Sequence, residues 1–443
     1  MIRTLCVSGL AVLAVACGSE APPESSTPVA QATTAGSEAS PTNDADSSGL
    51  IQETPEAPSG QSKKVSPWGS PETERGEPLP ERKRLSAPAQ RALEQGLAAM
   101  SVFEDERAAR LFRQALDEDA RAYQAAYHLG VLADRAGNST RALEHYQQAL
   151  RIQPDYERAA AGIVAVHARL GSLDEALRIV GELAQRWERN LRLQVVYSEA
   201  LVQGKQFDKA EAIAIAALRR DERYVPAMLA IARASMARGR SELAESILEQ
   251  ALGIDPKQPE ALYLRGTLLL IRGQLPEAMD HYKRAIEARP DYAEAHVALG
   301  IQLLSGGNYA EALKHLTIAS RLMPPQAEML LDLGDAYRAN REWEKALQTL
   351  EKALSLEPNL AEAHFNLGLL YMSVGSALKG LTTLQALQKA VEEFGAYRAL
   401  RGGKLAKNDL SRSYLEDLDR QIQREKRRLE REARNAATKK EEP

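Results

Sequence analysis

The chain has 443 residues, 44% of them hydrophobic and only 5% aromatic, with 57 Lys and Arg against 61 Asp and Glu. So few aromatics put the core on Ala and Leu, which suits close-packed helices better than sheets, and a formal charge of −4 argues against a general nucleic-acid binder, which would carry a strongly basic face. Both cysteines, Cys6 and Cys17, fall in the first 17 positions, so the remainder has no disulfide, thiolate metal site or cysteine nucleophile available.

The first element is a leader. Arg3 is followed by an apolar run from Leu5 to Ala16 and then by Cys17. The run is too short to span a bilayer and has the layout of a secretory signal over residues 1–16. Leu13-Ala14-Val15-Ala16-Cys17 resembles the bacterial lipobox, with Leu at −4 where −3 is usual. The resemblance implies that Cys17 is acylated and becomes the mature N-terminus. Ordinary cleavage after Ala-Val-Ala is the alternative. Gly18 after the cysteine points, by analogy with enteric lipoproteins, to the outer membrane.

Residues 17–88 are rich in Ser, Thr, Pro, Ala, Gly and Glu and carry almost no bulky apolar side chain. Such a segment cannot bury enough surface to offset its ordering entropy and is predicted to be a disordered tether. As a flexible coil it would reach ~50 Å.

From residue 89 to 394, about seven-tenths of the chain, the sequence repeats every 34 residues. A small residue marks one row (Ala108, Ala142, Ala176, Ala210, Ala244, Ala278, Ala312, Ala346, then Gly380), and parallel rows lie twelve residues before and seven after it. In the unit beginning at Ala361, Leu367, Gly368 and Tyr371 stand at positions 7, 8 and 11, and Pro154, Pro256, Pro290, Pro324 and Pro358 stand at position 32. This pattern resembles the tetratricopeptide repeat (TPR). The resemblance implies an all-α fold: a right-handed superhelical solenoid of about nine 34-residue helical hairpins. Small residues at positions 8 and 20 allow close helix approach, Gly at position 15 supplies the turn, and Pro at position 32 ends the second helix. No hairpin buries its own apolar face, so each must stack on the next. Gly380 and Leu387 make the ninth unit degenerate. Residues 395–443 carry Leu415, Leu418, Ile422 and Leu429 at helical spacing on a charged background, and are predicted to form a charged capping helix that fades into a disordered end.

Catalytic motifs are absent: there is no HExxH, P-loop, GxSxG or dinucleotide fingerprint. His145, His281 and His315 occupy position 23 and His296 and His364 position 4, equivalent places in units too far apart to converge on one metal. No enzyme activity, metal or cofactor is expected.

In TPR proteins the first helix of each unit lines the concave surface, with positions 2, 5, 9, 12 and 13 meeting the ligand. Carried onto this chain, these positions nominate Tyr127, Val131, Tyr263, Leu270, Val297, Ile301, Leu304, Leu331, Phe365 and Leu369 as an apolar groove suited to a protein or peptide partner with an apolar segment. Positions 5, 8 and 12 share one helical face, so the same residues could instead widen the core stripe. The layout resembles TPR lipoproteins that assist envelope assembly, which implies a membrane-tethered adaptor and no nucleic-acid partner. A carrier of a lipid or apolar small molecule is the alternative.

Overall fold

The structure is a computed structural model that describes residues 77–374, 377–406 and 408–441, without side-chain placement from 436 onward. Sequence expectations for the leader, Cys17 and most of the tether therefore lie outside the described residues. What is described is all-helical apart from turns and one extended segment. Nine antiparallel hairpins follow one another, the first made of Ala87–Ser101 and Asp105–Glu118, the ninth of Ala361–Val374 and Thr383–Arg401. In hairpins two to eight the first helix has 13 residues and the second 14. Second helices stop two residues before Pro154, Pro256, Pro290, Pro324 and Pro358, as expected where a proline ring disfavours helical geometry in the residue before it.

The seam inside each hairpin follows a size rule. Position 8 of the first helix faces position 24 of the second, and the two side chains complement each other. A Cβ placed on Gly130 would lie 2.6 Å from the Tyr146 ring, and one on Gly266 2.7 Å from Tyr282. Where position 24 is Val180 or Ala214, position 8 carries a side chain, Val164 or Ser198; beside leucine it is Ala232 at Leu248 but glycine at Leu316 and Leu350. Ser198 is fully buried and donates its hydroxyl to the Ala210 carbonyl at 2.8 Å, which satisfies the polar atom. The largest side chains at position 24, Phe112, Tyr146 and Tyr282, thus lie where position 8 has no side chain, as close packing requires.

Position 15 is left-handed in each of the first eight hairpins. Gly137, Gly171, Gly239, Gly273 and Gly307 have φ between 69° and 81°. Among the described residues the three non-glycine ones with positive φ, Phe103 (61°), Lys205 (58°) and Arg341 (61°), occupy the same position in hairpins one, four and eight. The turn imposes the conformation whatever residue sits there. A side chain in this region costs about 1 kcal/mol, so Lys205→Gly and Arg341→Gly should each stabilise the array by about that amount, seen as a higher denaturant midpoint at unchanged slope.

Three boundaries differ from the sequence expectation. The first helix begins at Ala87, and residues 77–86 are not a free tether but an extended strap along the edge where one hairpin joins the next. The Ser86 amide donates to Asp119 at 3.0 Å at the first junction, and Arg82 lies 3.7 Å from both Asp155 and Glu157 at the second. Glu77 meets Arg186 through an ion pair and a backbone hydrogen bond, each 3.3 Å, at the third. The Arg121 guanidinium, with the Arg121 and Ser86 amides, holds the Asp119 carboxyl far below the usual carboxylate range.

The ninth hairpin is out of register. Gly380 lies in the interhelical turn with φ 80°, and the buried i, i+4, i+7 set is Ala390, Phe394 and Tyr397, matching Ala346, Leu350 and Ala353 of hairpin eight. Phe394 takes the place beside Gly368, with its ring 2.9 Å from where a Cβ would stand. Residues 375–382 separate the helices here, against three residues in hairpin eight. This longer connection moves the second helix along the sequence.

The C-terminal helix runs Ser411–Glu441, so its backbone does not fade as expected. Leu418 is fully buried, and Tyr414, Leu415 and Ile422 pack with it on the core of hairpins eight and nine. Leu429 is exposed, among Arg428–Glu425 and Arg428–Glu432 pairs of 2.6 and 2.9 Å.

Candidate functional site: the first-helix face

In most of the array the first helices of neighbouring hairpins approach one another, whereas second helices meet chiefly their own hairpin and the next first helix. The array therefore bends toward its first helices, and their outward face is the concave one.

On that face the ten nominated residues separate into two groups. Tyr263, Val297 and Leu331 at position 5 are each 5% exposed and belong to the core clusters that join successive hairpins. Tyr127 and Phe365 are half-buried in aromatic groups, Tyr127 5.8 and 5.5 Å from the Tyr146 and Tyr156 rings, Phe365 5.5 and 5.0 Å from Phe394 and Tyr397. In hairpins six to eight position 5 is therefore seam and not groove. The reason is geometric: it lies one turn before position 8 or 9 and is covered by the next hairpin. Val131, Leu270, Ile301, Leu304 and Leu369, at positions 9 and 12, are half-exposed and form the accessible apolar part.

Between them lie charges that pair from hairpin to hairpin. Arg233 bridges Glu199 of hairpin four and Glu260 of hairpin six, with only 18% of its side chain exposed. Arg169 of hairpin three reaches back to Asp134 of hairpin two, whereas within hairpin eight Arg338 holds Asp335 at 2.6 Å. A 34-residue spacing places such side chains beside each other, so the rows were visible in the sequence but the bridging was not. Glu294 and Glu328, at position 2, have no ion-pair partner among the described residues. Burial, helped by the carboxylates of Glu357 and Glu362, pushes the Glu328 pKa up.

The histidines hold one surprise. His296 and His315 are not separated by whole units; they face each other across hairpin seven, Nδ1 to Nδ1 at 2.8 Å. His296 Nε2 lies 3.0 Å from the Pro290 carbonyl and must donate there, so its Nδ1 accepts and His315 Nδ1 donates. Both rings cannot be cationic, because each Nδ1–H would then point at the other. Burial lowers both pKa values, that of His315 to about 4, and burial against Phe112 and Tyr127 takes His128 to about 4 as well. A histidine whose folded pKa is depressed stabilises the fold above its unfolded value near 6.5, and that stability is lost as pH falls from there toward 4. The melting temperature should fall across that window. His315→Gln, which can still donate to His296, should flatten the fall relative to the parent.

Among the described residues no group of three or more His, Cys, Asp or Glu side chains is placed to hold a metal ion, and no helix is long and apolar enough to cross a membrane.

The sequence matches the tetratricopeptide-repeat family over residues 89–157, 229–293 and 263–327, and a TPR-repeat description of the same kind over 334–375. Similar solved structures include the Cut9–Hcn1 hetero-tetramer of APC/C, at 14% identity, covering 74% of this chain and 76% of that one with a TM-score of 0.47. A thermophilic TPR protein of Thermus thermophilus is 29% identical, covering 41% and 100%, with a TM-score of 0.35. YrrB, a TPR protein with an unusual peptide-binding site, is 22% identical, covering 42% and 95%, with a TM-score of 0.30. No curated protein matches the sequence. Hairpins three and four fall between the matched stretches, yet they keep the same helix lengths and the same left-handed turn. The repeated hairpins and the family matches together establish that the folded array is a tetratricopeptide-repeat solenoid.

Proposed function

We propose that this protein is a membrane-tethered scaffold, facing the periplasm or the cell surface, that holds a partner with an apolar segment during assembly of an envelope complex. TPR arrays in general mediate protein–protein interaction, which gives the broad class. The observation that carries the reading is the continuous concave face of first helices, on which half-exposed Val131, Leu270, Ile301, Leu304 and Leu369 alternate with charges already paired across hairpins. Such a face offers apolar contact at little desolvation cost, because its flanking ions keep their partners. The tethering part rests on the lipobox-like Leu13–Cys17 and its outer-membrane sorting on Gly18.

Two variants test the two parts separately. Cys17→Ser should move the protein from the membrane to the soluble fraction with an unchanged melt; retention in the membrane removes the anchor. Ile301→Glu with Leu304→Glu should abolish co-isolation of a crosslinked partner at a melting temperature close to the parent's. Partner capture that survives this pair removes the groove, and a co-purifying lipid-sized mass in native mass spectrometry would replace the scaffold with a carrier.

A further inference from the structure

Two contacts join parts of the chain that no neighbour-to-neighbour stacking would bring together. The Arg321 guanidinium lies 5.4 Å from the centre of the Phe103 ring, and a Cβ on Gly137 would stand 3.5 Å from Pro325. Phe103 and Gly137 are at the interhelical turns of hairpins one and two; Arg321 and Pro325 are at the end of hairpin seven, on the opposite edge of the array. Edge meets opposite edge only after the superhelix has gone once round.

The residues at this seam depart from the repeat. Position 15 is glycine or a charged residue in every hairpin but the first, where it is Phe103. Position 33 is charged or amide-bearing in the first eight hairpins except the seventh, where Pro325 follows Pro324. Phe103 also keeps a left-handed backbone, φ 61°, where five sister turns among the described residues use glycine. Yet it is half-buried at the tip of a turn, with Arg321 over its face. An aromatic ring under a guanidinium is attractive from either side of such a seam, and a strained residue persists where its surroundings hold it.

We infer that Phe103 with Arg321, and Gly137 with Pro325, form a latch that closes the first superhelical turn, so that the concave face of hairpins one to seven is an axial channel without a lateral slot. A partner reaches that face along the axis or by parting the latch.

Small-angle scattering and thermal melting of the full chain, with Phe103→Gly and Pro325→Asp as variants sharing the same N-terminal segment, test this. Phe103→Gly removes the ring and relieves the turn, so its melting temperature should hold or rise while the radius of gyration and maximum dimension increase. Pro325→Asp, which restores the polar character of the other junctions, should enlarge the particle in the same way. Unchanged dimensions in both variants overturn the latch. A lowered melting temperature in Phe103→Gly also overturns it, because Phe103 would then serve the local fold of hairpin one.

Discussion

Val297→Asp is expected to unfold hairpins six to eight well before the rest of the array. Val297 is 5% exposed and sits in the cluster that contains Met329, Leu330 and Leu331 of the following hairpin. An aspartate there is too short to reach solvent, and Glu294 one turn earlier adds like charge without an ion-pair partner to absorb it. A buried charge without a partner costs ~3–5 kcal/mol, and stacked repeats concentrate such damage in the hairpin and its neighbours. The expected thermogram has two transitions, the lower one moving upward as pH falls and the carboxyl is neutralised. Ile301→Asp, one turn further along and half-exposed, should cost far less. Equal losses from the two substitutions would mean that positions 5 and 9 are not the two sides of the boundary between seam and groove.

Gly266→Val should be the second severe change, and a partner substitution should relieve it. The new Cβ would meet Tyr282 ring atoms at 2.7 and 2.9 Å and the Ala278 carbonyl at 3.1 Å. Overpacking of this kind typically costs about 1–3 kcal/mol. Tyr282→Val alone empties a fully buried site and loses ring contact with Tyr263 at 5.8 Å. Together the two recreate the Val164–Val180 pairing of hairpin three. The double variant should therefore be less destabilised than the sum of the singles, by more than ~0.5 kcal/mol in a double-mutant cycle. Simple additivity would show that positions 8 and 24 do not share one volume.

The fold was legible because the ladders at positions 8, 20 and 27 repeat at a spacing that only stacked helical hairpins satisfy. The site was less legible for a reason in the same residues. Val297 and Ile301 are both apolar and one turn apart, and a pattern of apolar residues does not say which is covered by the next hairpin. Periodicity also hid the shift in hairpin nine: Leu387 is buried, as the 34-residue count required, but it does so one turn before Ala390, in a helix that starts late. The strap escaped because an extended segment held by Ser86, Arg82 and Glu77 has no period at all. The His296–His315 pair escaped because counting by repeat position separates residues that one hairpin brings face to face.

The strap has a mechanical consequence. Because residues 77–86 run backward past three junctions, a pull on the chain from its N-terminal side is delivered at the flank of hairpins three and four and not at the free end of hairpin one. The load is first borne in series by the Glu77–Arg186, Arg82–Asp155 and Ser86–Asp119 contacts, which yield one after another before any helix is stretched. Tension of this kind would therefore peel a ten-residue fuse before it reached the helices of the array.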